Sequence, residues 1–261
     1  MKCTNKYKIL LPVLILALLL LTGCTQRSDV AEAYQLYETS DNYALTESSA
    51  SAAPELLAEN LCVGGTENSA TDGIDAAFAQ SAGVFSVEDE EVTYAQNIYQ
   101  RMYPASTTKI LTAYIALKYG NLDDVITVSN EAITSLMSGS SICGLKPGDS
   151  LTLDQALYGL MLCSGNDAAN VIAIHIAGSL DAFVSLMNQK AQELGMTGTH
   201  FVNPCGSHDD NHYTTARDLA ILSKYAMKND QFREIVKMPI YKIPATNKYA
   251  SERILVNTNL F

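Results

Sequence analysis

Ser106-Thr107-Thr108-Lys109 sets a hydroxyl and a primary amine three residues apart. On a helix that spacing brings both side chains to one face. An apolar run follows at once, which predicts a helix from Thr107 to about Tyr119, with Ser106 at its N-terminus and Gly120-Asn121 as its stop. A helix N-terminus favours negative charge on the serine oxygen, and its free N–H groups can bind an oxyanion. A lysine buried beside it can lose its proton near neutral pH, because desolvation disfavours the ammonium, and can then act as base for the serine. The chemistry outlined is nucleophilic acyl transfer. Ser-x-x-Lys is also frequent by chance, so the spacing carries little on its own.

Ser164-Gly165-Asn166 is the second constellation. It falls between two helical segments, where a tight turn can aim a hydroxyl and an amide into a cleft, although the same residue types build ordinary interhelical loops. Two histidine features have weaker claims. His208-Asp209-Asp210-Asn211-His212 has the residue types of a metal site but no expected helix to carry them, and reads as a rim loop. His175 lies in an apolar helix and reads as a packed histidine, which argues against a Ser/His/Asp triad.

The elements that must position these groups follow from periodicity and caps. Gly83–Val87 and Val92–Tyr94 flank Glu88-Asp89-Glu90-Glu91 as a hairpin. The helix after Ser106 is apolar nearly all round, so it should be buried at the centre. Thr152 to Gln155 is a capping box leading into a helix that ends near Leu162. Asp167–Ala177 with Gly178, Asp181–Leu194 with Gly195, and a helix from Thr215 to about Met227 continue the helical middle. Ile240–Ile243 and Arg253–Val256 read as strands. Strands at both ends of a helical middle predict an α/β domain with an antiparallel sheet.

Tyr103-Pro-Ala-Ser-Thr-Thr-Lys109 followed by Ser164-Gly-Asn-Asp-Ala-Ala-Asn170 resembles the penicillin-recognising serine enzymes, which carry S-x-x-K, S-x-N and K-T-G motifs. The wider match is to the D-alanyl-D-alanine carboxypeptidases. It includes Asp181-Ala-Phe-Val, Met187-Asn188, Leu194-Gly-Met-Thr-Gly-Thr-His200-Phe201-Val-Asn203-Pro204 and His212-Tyr-Thr-Thr-Ala-Arg-Asp218. The resemblance implies a β-lactamase/transpeptidase-like α/β domain, an antiparallel sheet with a mostly helical subdomain. It implies that Ser106 attacks the bond between two D-alanines of a peptidoglycan stem peptide, forming an acyl-enzyme that water resolves. Lys109 would take the serine proton, Ser164 would relay a proton to the leaving amine, and Asn166 would position substrate and Lys109. The Ser106 N–H would be one oxyanion donor, β-lactams would acylate the same serine, and no metal or organic cofactor would be needed.

One departure stands against the family pattern. No K-T-G occurs in the sequence, and Lys146-Pro147-Gly148, the nearest lookalike, precedes the S-x-N motif and reads as a turn. The expectation is therefore a domain incomplete before that motif and weak in activity as it stands. Two rival readings follow. A non-catalytic, cell-wall-binding lipoprotein would fit the absent motif. A class A β-lactamase fits less well, because no Glu-x-x-Leu-Asn follows Ser164 to supply a deacylating carboxylate.

The N-terminal stretch sets the expected compartment. Lys2, Lys6 and Lys8 precede an apolar run, Ile9–Leu21, broken only by Pro12 and shorter than the roughly 20 residues a membrane span takes. This is the pattern of a signal peptide. Leu21-Thr22-Gly23-Cys24 resembles the bacterial lipoprotein box, which implies lipidation of Cys24 and an extracytoplasmic protein held to the cell membrane by its lipid. Residues 1–23 read as the signal, 24–73 as an acidic flexible tether and 74–261 as the folded domain. From 25 to 73 there are nine acidic residues and one basic residue, Arg27, too little apolar surface to offset ordering. Loss of three lysines with the signal takes the net charge from −11 to −14, which argues against nucleic acid as a partner. With Cys3 removed and Cys24 lipidated, Cys62, Cys143, Cys163 and Cys205 remain. Four cysteines allow three pairings, and sequence does not choose among them.

Overall fold

The computed structural model describes residues 78–86 and 92–259. The signal, Cys24, the tether, Cys62 and the acidic turn at 88–91 lie outside the described residues. The expected hairpin is present as β1 (Ala82–Phe85) and β2 (Val92–Gln96), antiparallel with Ala82 opposite Gln96.

The central helix α1 (Lys109–Tyr119) starts two residues later than its apolar pattern suggested, because Ala105–Thr108 winds as a 3₁₀ turn. The Thr107 amide reaches the Pro104 carbonyl at 3.2 Å, and its hydroxyl bonds the same oxygen, so the first turn closes at the tighter spacing. Burial of α1 is as its composition requires. Leu111 and Ile115 enter a cluster with Phe183, Met187, Phe201 and Ile221. Ala113 and Ala116 enter a second cluster with Leu153, Leu157, Leu160 and Ile172. The helix thus separates two cores and contributes to both. Its polar residues at that depth must be bonded, and the Thr112 hydroxyl donates to Pro204 O at 2.7 Å.

Among the described residues five further helices surround α1, with one short helix beside them. α2 (Asn130–Thr134) lies between β3 (Val125–Thr127) and β4 (Ser150–Thr152). The Thr152/Gln155 capping box opens α3 (Leu153–Leu162), as its sequence signature predicts. α4 (Asn166–Ala177) stops at Gly178, whose φ is +83°. α5 (Leu180–Glu193), α6 (Ala216–Met227) and α7 (Asp230–Lys237) are capped by Ser179, Thr215 and Asn229, each side chain accepting a backbone N–H. The strands β5 (Ile240–Ile243) and β6 (Arg253–Val256) pair antiparallel, with Tyr241 stacked on Tyr158 of α3 at 3.7 Å.

The fold class is the α/β architecture expected, with one difference. Among the described residues the strands form three two-stranded antiparallel sheets, β1–β2, β3–β4 and β5–β6, rather than one sheet. The turn between β5 and β6 is fastened to the segment before β4. Asn247 donates to Gly148 O at 2.7 Å and accepts from Ser150 N at 3.0 Å, and Arg253 pairs with the fully buried Asp149 at 3.0 Å. Lys146-Pro147-Gly148 is the turn expected: Asp149 N reaches back to Lys146 O at 2.9 Å.

Candidate active site

Three of the residues singled out by spacing meet at the front of α1. Lys109 Nζ donates to Ser106 Oγ at 3.1 Å, and Ser164 Oγ lies 2.9 Å from the same oxygen. Ser106 and Ser164 are 58 residues apart in the chain, so only packing brings them together. Ser106 is exposed, while Lys109 is 2 % exposed. The serine faces solvent and the lysine amine is buried behind it.

Burial pulls the Lys109 ammonium down from 10.5 to about 8, opposed by the Cys205 thiol and the Asp167 carboxylate nearby. A second bond fixes the amine: Nζ donates to Cys205 O at 2.7 Å. That carbonyl can accept a proton from either charge state of the lysine. When the amine is neutral it keeps this bond, and its lone pair is free for the Ser106 side.

The carbonyl is held by a small cradle. Asn203 Oδ1 accepts from the amides of Cys205, Gly206 and Ser207, at 3.2, 2.7 and 3.0 Å, and its Nδ2 donates to Ser207 O. Gly206, at φ +86°, lies flat against the turn that bears Ser106, and a Cβ there would fall 1.7 Å from Ala105 O. Ala105 itself has φ +46°, a left-handed conformation that non-glycine residues adopt at a cost. The 203–207 loop therefore clamps the backbone on one side of Ser106 and the amine on the other.

Thr108, next to the lysine, is buried and bonded to His212 Nε2 at 2.8 Å. His212 Nδ1 accepts from Val202 N at 3.2 Å, so the ring's proton sits on Nε2 and is donated to Thr108 Oγ1. Burial pushes this imidazole down from 6.5 to about 4. The loop that offered metal-type side chains instead sends His212 into the protein to brace the turn that carries Ser106. His208 stays at the surface, 3.8 Å from Asp210. His175 pairs with Asp124 at 3.2 Å at the far end of α4.

Ser164 has φ +55°, and this turn places its hydroxyl toward Ser106. Asn166 opens α4 two residues on, largely buried, with its backbone N–H donating to Ser141 O at 2.8 Å. Asp167 follows, 1 % exposed. Its carboxylate accepts from Cys143 N at 2.9 Å and Leu145 N at 2.8 Å, which holds the 141–145 segment beside the Ser164 turn.

Ser106, Lys109, Ser164 and Asn166 were singled out in the sequence by their two motifs and the resemblance these carry. Asn203, Gly206, Thr108, Asp167 and His212 were not given roles. Asn203 and His212 lie in stretches that resemble the family, but a residue acting through a carbonyl or a bracing hydrogen bond has no spacing signature of its own. The lipidation candidate Cys24 lies outside the described residues.

Comparison with known proteins gives the family and the fold. The family model described as D-alanyl-D-alanine carboxypeptidase matches residues 67–260. D-alanyl-D-alanine carboxypeptidase DacF of Bacillus subtilis is 39% identical over 155 residues, 58% of this chain and 39% of that protein. DacA of Escherichia coli is 36% identical over 165 residues, 60% of this chain and 41% of its own length. The chain thus spans about two-fifths of these curated relatives. Among solved structures, an S216A mutant of the Streptomyces K15 DD-transpeptidase superposes with a TM-score of 0.65 at 33% identity, covering 70% of this chain and 75% of that one. The D-alanyl-D-alanine carboxypeptidase of Mycobacterium tuberculosis H37Rv gives 0.63 at 34% identity, covering 69% and 67%.

Proposed function

The chain belongs to the D-alanyl-D-alanine carboxypeptidase family, and from that premise we propose that it is a serine-type D-Ala-D-Ala carboxypeptidase acting on peptidoglycan stem peptides. One observation carries the reading: Ser106 Oγ lies within hydrogen-bond reach of both a buried amine, Lys109, and a second hydroxyl, Ser164.

Neutral Lys109 takes the Ser106 proton as Oγ attacks the carbonyl between the two D-alanines. The Ser106 N–H is one donor to the developing oxyanion. Ser164 passes a proton to the departing amine, so that D-alanine leaves and the acyl-enzyme remains. Water, activated by the same amine, releases the shortened peptide and restores Ser106. Asn166, at the head of α4, orients the substrate and Lys109. A β-lactam acylates Ser106 by the same attack, its ring opening in place of amine departure.

We also place this activity outside the cytoplasm, on a lipid anchor at Cys24. The basic start, the short apolar run and the Leu-Thr-Gly-Cys box support this reading.

The test is fluorescent-penicillin labelling of the full-length protein with peptide mapping of the label. Label on Ser106, abolished in Ser106→Ala, is the expected result. A label mapped to another serine overturns the assignment.

A further inference from the structure

Among the described residues, two half-buried thiols meet over one glycine of α3. Cys163, at the C-terminal end of that helix, sends its Sγ to Gly159 O at 3.2 Å. Cys143, in the segment between α2 and β4, stands against the same residue: a Cβ at Gly159 would lie 2.8 Å from its Sγ. The missing Cβ is what lets the Cys143 side chain reach the helix. The thiols share a hydrogen bond, in which Cys143 donates and Cys163 accepts. Cys205, by contrast, is buried against Asn203 and Ser207 in the loop that holds Lys109.

We propose that Cys143 and Cys163 are a redox-modifiable pair that closes to an intramolecular disulfide, tying the 141–145 segment to the residue that precedes Ser164. The chemistry divides between the two sulfurs. The hydrogen bond from Cys143 holds the Cys163 thiol below its ordinary value, so Cys163 is the readier thiolate. It attacks an organic disulfide, forming a mixed disulfide and expelling one thiolate. That step removes the bond that keeps Cys143 protonated. Cys143 then loses its proton to the expelled thiolate and attacks the Cys163 sulfur, expelling the second. Two protein thiols and one organic disulfide become one protein disulfide and two organic thiols, with two electrons passing to the oxidant.

The location gives the bond its consequence. The two segments it joins are already linked by Asn166 N to Ser141 O and by Asp167 to the amides of Cys143 and Leu145. Ser164 sits between these ties in a left-handed conformation that neighbours must impose. A covalent link adjacent to it constrains the turn that aims its hydroxyl at Ser106. The inference does not depend on the proposed activity.

Incubation of the folded full-length protein with oxidised glutathione should remove two free thiols, and non-reducing digestion with mass spectrometry should find the Cys143–Cys163 cross-link. A closed loop of about 20 residues should raise the melting temperature by roughly 5–10 °C relative to the reduced protein. Amide exchange at Cys143, Leu145 and Asn166 should slow on oxidation. Cys143→Ser and Cys163→Ser should each lose the cross-link and the thermal response. The mapping on unmutated protein stands whether or not those variants fold. An unchanged thiol count, or a cross-link from either residue to Cys62 or Cys205, overturns the proposal.

Discussion

Lys109 is held between a carbonyl that accepts a hydrogen bond from it in either charge state and a serine that, in the proposed reaction, gives it a proton. Burial resolves the conflict by lowering the amine to about 8, so roughly a tenth of molecules carry it neutral at pH 7. The base must be neutral before attack, so acylation should rise with pH and level off above an apparent pKa near 8. Stopped-flow acylation by a chromogenic penicillin across pH 6 to 10 measures this, and a flat profile there would exclude Lys109 as the base. Lys109→Ala should slow acylation by about 10²–10⁴-fold, the usual cost of losing a general base.

At the scale of elements, the position of Ser106 depends on a loop that never touches substrate in the proposed reaction. Gly206 lies against the Ala105 backbone so closely that no side chain fits, and its φ is one that L residues avoid. Gly206→Ala must therefore displace the 3₁₀ turn or the 203–207 loop, and with them Ser106 or the Cys205 carbonyl. Expected are a destabilisation of about 1–3 kcal/mol in urea unfolding and at least a tenfold slower acylation. A fully folded Gly206→Ala with unchanged acylation would show that the clamp does not hold the nucleophile. None of this was written in the helix periodicity, which predicted a regular α-helical start at Thr107. The tight turn and its clamp arise from a contact made across about a hundred residues.

For the molecule as a whole, His212 joins the loop after Asn203 to the turn before α1 and is kept neutral by burial, with Asp209 favouring its charge and His200 and His208 opposing it. Its folded pKa, about 4, lies below the ordinary 6.5, so the unfolded chain binds the extra proton between those values. The stability it contributes is complete above about pH 6.5 and is lost as pH falls toward 4. Urea midpoints should therefore fall more steeply over that range in the natural protein than in His212→Gln, and equal slopes would remove His212 from the account. The anchor proposed at Cys24 acts at this scale too. Cys24→Ser should release the protein from membranes or leave it unprocessed, and membrane retention with normal cleavage in that variant would count against lipidation.

The capping box at Thr152, the glycine stop at Gly178, the β5 and β6 strands and the buried character of α1 were all legible in the sequence, because each rests on signals within a few residues. So was the meeting of Ser106 and Lys109, three residues apart. The three-residue strands β3 and β4 and the short α2 were not, since pairing between Val125 and Thr152 leaves no local pattern. Tertiary structure alone decided that Ser164 meets Ser106, that a backbone carbonyl at Cys205 orients the amine, and that Cys143 and Cys163 both lie against Gly159. Local sequence sets what a segment can form. Which distant segments then converge depends on how two cores close around one central helix, and no single stretch of the chain encodes that.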